Sequence, residues 1–138
     1  MAAATLVAAF LRFFHLGRQS LWIDEAIMWY STAVGTPLTI AGLLEKTHGP
    51  LHAAVLQIWC AIAGDSEWAL RAPSAVAGVL AVPAIAWLAA LWLAPRVAPA
   101  AAWLTAGSPS LVWYSQEARS YSMLSLFVAL SSAALLAL

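Results

Sequence analysis

The stretch Ala72 to Ala94, APSAVAGVLAVPAIAWLAALWLA, holds no charged residue and is long enough to cross a bilayer with some tilt. It decides the fold class, because the rest of the chain is built alike: hydrophobic residues make up 64% and charged residues only 9%, and the mean hydropathy is +0.86. A soluble domain carries far more charge. The sequence therefore predicts an all-α, polytopic membrane protein. Its formal net charge of zero offers no footprint for nucleic acid. Cys60 stands alone, which excludes an intrachain disulfide or a cysteine metal cluster.

Outward from that stretch, residues 1–17 read as a first spanning helix that lacks its start. The uncharged run Ala2 to Leu11 is short of the roughly 20 apolar residues a span needs. A basic n-region and a small-residue cleavage site are missing, so it is not a signal peptide. Arg12, His15 and Arg18 are expected at the far interface, where long arginine side chains snorkel. After Ala94, Pro95-Arg96 makes a short turn, residues 97–114 cross back, and a polar turn runs from Ser115 to Tyr121. Residues 121–138 begin a fourth crossing and stop without a polar flank, as a truncated chain would. Abundant Ala and Ser suit close helix packing in lipid, and Pro83 is expected to kink its helix.

Residues 18–71 form one long extramembrane segment that holds Arg18, Lys46 and Arg71 and, of the six acids, all but Glu117. Within it, Glu25 to Val34 reads as a short helix ended by Gly35-Thr36-Pro37, and Leu38 to Lys46 as a second. His48-Gly49-Pro50 then breaks the pattern, and Leu51 to Ala63 suits a helix lying in the interface. Two crossings separate this segment from the turn at 115–121, so both lie on one side. Trp22, Trp29, Trp59, Trp68 and Trp113 fall on that face, as in an aromatic belt. The positive-inside rule counts Arg18, Lys46, Arg71 and Arg119 there against Arg96 opposite, which would make the face cytoplasmic. If the face is external, its cations have another task, and binding phosphate is the obvious one.

The chemistry centres on Asp24-Glu25, flanked by Trp22, Trp29 and Tyr30. Two readings stand. The pair sits in the first turn of a surface helix, where the helix dipole favours acids, although Ile23 and Ile27 occupy the places a capping box would need. Otherwise a carboxylate at the bilayer edge removes a proton from a substrate hydroxyl. Arg71 either pairs with Glu67 four residues earlier or holds phosphate, and Arg119 either pairs with Glu117 or does the same. His48 and His52 are four apart, but Gly49-Pro50 between them opposes a regular helix, so no metal pair is expected.

A known group shows the same order of motifs. Arg12, Leu21-Trp22-Ile23-Asp24-Glu25-Ala26, Thr47-His48-Gly49-Pro50-Leu51-His52, Arg71-Ala72-Pro73-Ser74-Ala75, Ser108-Pro109 and Tyr114-Ser115-Gln116-Glu117-Ala118-Arg119-Ser120-Tyr121 follow one another along the chain. This pattern resembles the N-terminal part of the GT-C fold glycosyltransferases, in the branch of the dolichyl-phosphate-mannose protein mannosyltransferases and the bacterial lipid A aminoarabinose transferases. The resemblance implies a multi-pass enzyme of a bacterial plasma membrane, with its site facing outward. It would move a sugar, with inversion, from a polyprenyl-phosphate donor to a lipid, glycan or protein acceptor. Carried over, Asp24 is the catalytic base and Glu25 supports acceptor binding or the loop. Arg71, Arg119, His48, Gln116 and Tyr121 serve the donor phosphate or substrate. No particular cofactor is implied, and a divalent cation bridging Asp24 and a phosphate is left open. The chain departs from the family at His48-Gly49-Pro50-Leu51-His52, where members commonly show His-Pro-Pro-Leu-Tyr. It is also shorter than such enzymes, and a fragment is not expected to complete an active site alone. The alternative is a non-catalytic transport or assembly subunit; transport would ask for an inward-facing charge in mid-helix, and none occurs between Ala72 and Ala94 or between Val97 and Gln116.

Overall fold

The computed structural model describes residues 1–31 and 49–138. The expected helix at 38–46, the turn at 35–37 and His48 lie outside the described residues. Helices run over Ala2–Phe13 (α1), Ile23–Trp29 (α2), Pro50–Ala63 (α3), Glu67–Trp92 (α4), Ala98–Gly107 (α5), Pro109–Ser115 (α6) and Tyr121–Leu136 (α7), with a 3₁₀ turn at Pro95–Val97. No strand occurs among the described residues.

Helix α4 is the axis of the bundle and packs against α1, α3, α5, α6 and α7. It starts before the uncharged stretch because the Ser66 hydroxyl caps it, accepting the Ala69 N–H at 3.2 Å. Arg71 is thereby carried inside the helix. Pro73 has no N–H for the carbonyl of Ala69, and the Trp59 indole takes that carbonyl instead at 2.9 Å, tying α3 to α4. Small residues make the contacts: Ala4, Ala8, Val82, Ala86, Ala102 and Ala106 join α1, α4 and α5. Ala77, Ala81 and Ala84 meet Met123, Leu126 and Ala129 of α7.

The outside of this bundle is apolar. Leu6, Phe10, Leu80, Trp87, Trp103, Leu104, Leu124 and Phe127 are exposed, while Arg12, Ser74, Thr105, Ser115 and Ser122 are buried. Large apolar side chains outside and polar groups within suit a lipid solvent, where burial of apolar area no longer drives helices together. Among the described helices only α4, at 26 residues, is both long and apolar enough to cross a membrane, whereas α1, α3 and α7 are shorter apolar helices.

Three expectations are corrected. Helix α1 ends at Phe13, not near Gly17, because Phe14 is extended (ψ 117°) and His15 turns the chain at φ 58°. The crossing expected over 97–114 is two helices: Ser108 is extended, and Pro109 cannot donate to Thr105. Arg12 does not snorkel. It is 1% exposed, and its guanidinium donates to the carbonyls of Thr105 and Ala106 at 3.1 Å each and to Ser115 Oγ at 3.2 Å. These are the carbonyls left over at the break between α5 and α6, so the arginine caps a broken helix from a neighbouring one. Gly78 makes room for this contact. A Cβ there would lie 2.8 Å from Ser115 Cβ and 3.0 Å from Arg12 Nε.

Candidate functional site

The Asp24-Glu25 pair, the Arg71 region and the turn at 115–121 meet at one point of the structure. Glu25 is fully buried. One of its oxygens accepts the Ala118 N–H at 2.8 Å and Arg71 Nε at 2.9 Å; the other accepts Arg71 Nη2 at 2.6 Å. This two-pronged bridge is the strong form of a carboxylate–arginine pair. Burial alone would raise the Glu25 carboxyl, but the Arg71 hydrogen bond, the Ala118 amide and the Arg71 charge together leave it below its ordinary value. Glu25 also accepts the Trp22 N–H at 3.4 Å, which supplies half of a capping box with Trp22 at the helix boundary. Nothing local announces this, because Trp is not a capping side chain.

Arg71 has no donor to spare. Besides Glu25, it donates to the carbonyls of Leu16 at 3.0 Å, Gln19 at 2.8 Å and Ser20 at 3.3 Å. With the two bonds to Glu25, these occupy every N–H of a guanidinium. The geometry thus makes Arg71 the clamp that fixes the loop between α1 and α2, and its partner is Glu25 rather than Glu67.

Asp24 sits on the same turn with the opposite fate. Its side chain keeps 40% exposure and pairs with Arg119 at 2.9 Å, the latter 13% exposed. Arg119 thus pairs with Asp24, while Glu117 accepts the Trp113 indole N–H at 2.7 Å. Arg119 also donates to Tyr121 Oη at 3.2 Å and lies 5.4 Å from the centre of that ring. Its loop is pinned from below, since Ser74 Oγ donates to the Arg119 carbonyl at 2.9 Å. Gln116 turns away from Asp24 and donates to the Leu11 and Phe14 carbonyls, at 3.0 and 3.1 Å, closing the C-terminal end of α1. His52 is buried, and neither ring nitrogen meets a partner among the described residues. Desolvation, with help from the charge of Arg119, pushes it down to about 4.

Glu25 and Arg71 also form part of the wall of a cavity of about 740 Å³, shared with Phe14, Trp22, Trp113 and Glu117. Asp24, Arg119 and Tyr121 are not in that wall. Among the described residues no three His, Cys, Asp or Glu side chains gather as a metal cage would require.

A family model described as dolichyl-phosphate-mannose-protein mannosyltransferase matches residues 47–138. The chain belongs to that family. No curated protein and no solved structure matches it. The mannosyltransferase family is one of GT-C-type, membrane-associated glycosyltransferases, which agrees with the apolar exterior of the bundle. Its match takes in Arg71, Gln116, Arg119 and Tyr121 but begins after Asp24 and Glu25. Those two carboxylates are joined to the matched region by contacts instead, one to Arg71 and one to Arg119.

Sequence reasoning singles out Arg71 and Arg119 but not the partners the fold gives them. It also overlooks the Ala118 amide, Ser74 as the support of the Arg119 loop, and Gly78. The usable signal for Arg12 was Ser108-Pro109, a helix break whose freed carbonyls need a donor.

Proposed function

We propose that this chain forms the acceptor-activating part of a glycosyltransferase that moves a sugar from a polyprenyl-phosphate carrier to an acceptor at the outer face of the membrane. The observation that carries it is the divergence of two adjacent carboxylates: Glu25 is sealed beneath the loop, while Asp24 keeps 40% exposure at the edge of it. A general base must reach its substrate. Asp24 is therefore the base that takes the proton of the acceptor hydroxyl as its oxygen attacks the anomeric carbon. Direct displacement of the lipid phosphate inverts that centre, and no second carboxylate nucleophile is needed.

Positive charge is required where the phosphate leaves. Arg119 suits this better than Arg71, because among the described residues it donates to Asp24 and Tyr121 only, which leaves other N–H groups for phosphate oxygens. Glu25, Arg71, Ser74 and Gln116 are then positioning residues that set the loops in register. Asp24 alone of the pair could offer oxygens to a divalent cation, and one carboxylate is a poor cage, so the reading is made without metal. The bundle would sit as four crossings, α1, α4, α5 with α6, and α7, the third being a broken span. Buried Arg12 is the kind of charge a transporter would need, but its donors are taken by the α5 end, which favours the enzyme.

In the full-length protein, Asp24→Asn should lower transfer by about a hundredfold or more, the scale of a lost general base, with expression and helicity unchanged. Near-normal transfer would remove Asp24 from that role.

A further inference from the structure

The cavity beside the Glu25–Arg71 bridge has a composition of its own. Its volume of about 740 Å³ falls in the range of small-molecule pockets. Three aromatic rings in its wall stay open: Phe14 is 51%, Trp22 45% and Trp113 63% exposed. Trp113 is held in place, since its indole N–H is fixed on Glu117 at 2.7 Å. A flat, preset aromatic face in a pocket that also carries polar groups suits a ligand with an apolar face and a polar edge. Polar groups stand around the rings: Gln19, Ser20 and His15 line the same wall. The Nδ1 of His15 faces Arg18 Nη1 at 3.3 Å, which leaves its Nε2 toward other partners.

Charge narrows the ligand further. The wall carries Arg18 and Arg71 against Glu25 and Glu117, so its formal charges cancel, and Arg71 is fully engaged by Glu25 and three carbonyls. Glu25 and Arg71 neutralise each other, so among the described residues a phosphate entering here would meet Glu117 as well as Arg18, and Arg18 already lies 3.3 Å from His15 Nδ1. A peptide held as an added strand would need an exposed sheet edge, and none of the described residues forms one. What remains is an uncharged ring whose C–H face stacks on indole and whose hydroxyls find both donors and acceptors.

We infer that this cavity is a subsite for an uncharged saccharide, the acceptor of the transfer proposed above. The inference rests on that reading for the word acceptor, but not for the binding itself. The acceptor would lie against Trp113 and present its hydroxyl across the loop to Asp24.

The test uses the purified full-length protein in detergent micelles and saturation-transfer NMR with free mannobiose as the probe. Saturation should pass to the C–H protons of the disaccharide. It should fall about tenfold or more in apparent affinity with Trp113→Ala, on the scale of a truncated aromatic anchor, and return with Trp113→Phe, which restores the ring. If Trp113→Ala loses helicity, Gln19→Ala, on an exposed loop, serves as the second variant and should weaken binding as well. Absence of transfer, or transfer unchanged by both variants, overturns the proposal. So does displacement of the disaccharide by inorganic phosphate, which would make the site an anion pocket, or saturation of a serine-containing hexapeptide in its place. Asp24→Asn keeps the Trp113 face and every wall residue, so the disaccharide should still bind, weakened by no more than the hydrogen bond that Asp24 accepts from its hydroxyl. A normal rate of transfer in that variant would therefore sink the assigned base while leaving the subsite standing.

Discussion

Glu25→Gln tests whether the Glu25–Arg71 bridge is the keystone of the site. The glutamine is nearly isosteric and can still accept the Ala118 N–H, which the carboxylate holds at 2.8 Å. It cannot meet both Arg71 donors, held at 2.9 and 2.6 Å in the native bridge, because its NH₂ group confronts one of them. Arg71 then remains buried as an uncompensated cation. Breaking one side of a buried pair costs about 3–5 kcal/mol, enough to lower a melting midpoint by roughly 6–20 °C in a chain of this size. Thermal unfolding of the detergent-solubilised protein, followed by circular dichroism, would measure it. Arg71→Met should cost a similar amount. The double variant should be clearly less unstable than the sum, with a coupling of about 1–3 kcal/mol. If Arg71→Met leaves the midpoint unchanged and weakens only the use of the lipid donor, the clamp is refuted and Arg71 is a phosphate ligand. The bridge also sets an acid limit. A carboxyl held below its ordinary value stabilises the fold above the unfolded value, and that contribution is lost as pH falls through the folded one.

His52 gives a second acid effect with its own window. Its folded value of about 4 lies below the ordinary 6.5, so the unfolded chain binds the extra proton and stability falls as pH drops from 6.5 toward 4. About 3 kcal/mol would be lost across that range, and His52→Leu should flatten the fall when the midpoint is followed against pH. Gly78→Ala should destabilise by roughly 1–3 kcal/mol through overpacking, since its Cβ would crowd Ser115 and Arg12; an unchanged midpoint would mean that α4 and α6 do not approach as described. With Cys60 replaced, a cysteine at Asp65 should be labelled from outside intact cells and one at Arg96 should not. The opposite pattern would put the Asp24 face in the cytoplasm and defeat outward transfer.

The helical class was legible because Ala72 to Ala94 carries no charge, and the composition holds far less charge than that of a soluble domain. The site was legible only as a set of names. Asp24, Glu25, Arg71 and Arg119 stand out as charges in an apolar chain, yet local spacing offered Glu67 to Arg71 and Glu117 to Arg119, and the fold used neither. Pairing at four residues is worth only a few tenths of a kcal/mol on an exposed helix. A buried carboxylate left without a cation costs several times as much, so Glu25 takes Arg71 from across the bundle. Arg12 was misread for a similar reason. Its nearest polar surroundings in the sequence are His15 and Arg18, and nothing local reveals that two carbonyls beside Pro109 need a donor. The division of labour between Asp24 and Glu25 was likewise invisible, since adjacent residues on a helix differ in facing by about 100°, and only the docked α4 shows which of them is covered.

The cap that Arg12 places on the end of α5 implies an order of assembly. An arginine at the centre of a helix standing alone in lipid costs about 2.5–3.5 kcal/mol on insertion scales and less in a last turn, where Arg12 sits; the carbonyls that relieve it here belong to Thr105 and Ala106. During synthesis α1 is made long before those residues. It should therefore wait at the membrane surface, or in the insertion machinery, until the α5–α6 break arrives to receive its charge. A ribosome-bound chain stopped near residue 100 should leave α1 extractable by alkaline carbonate, and one stopped beyond Ser115 should not.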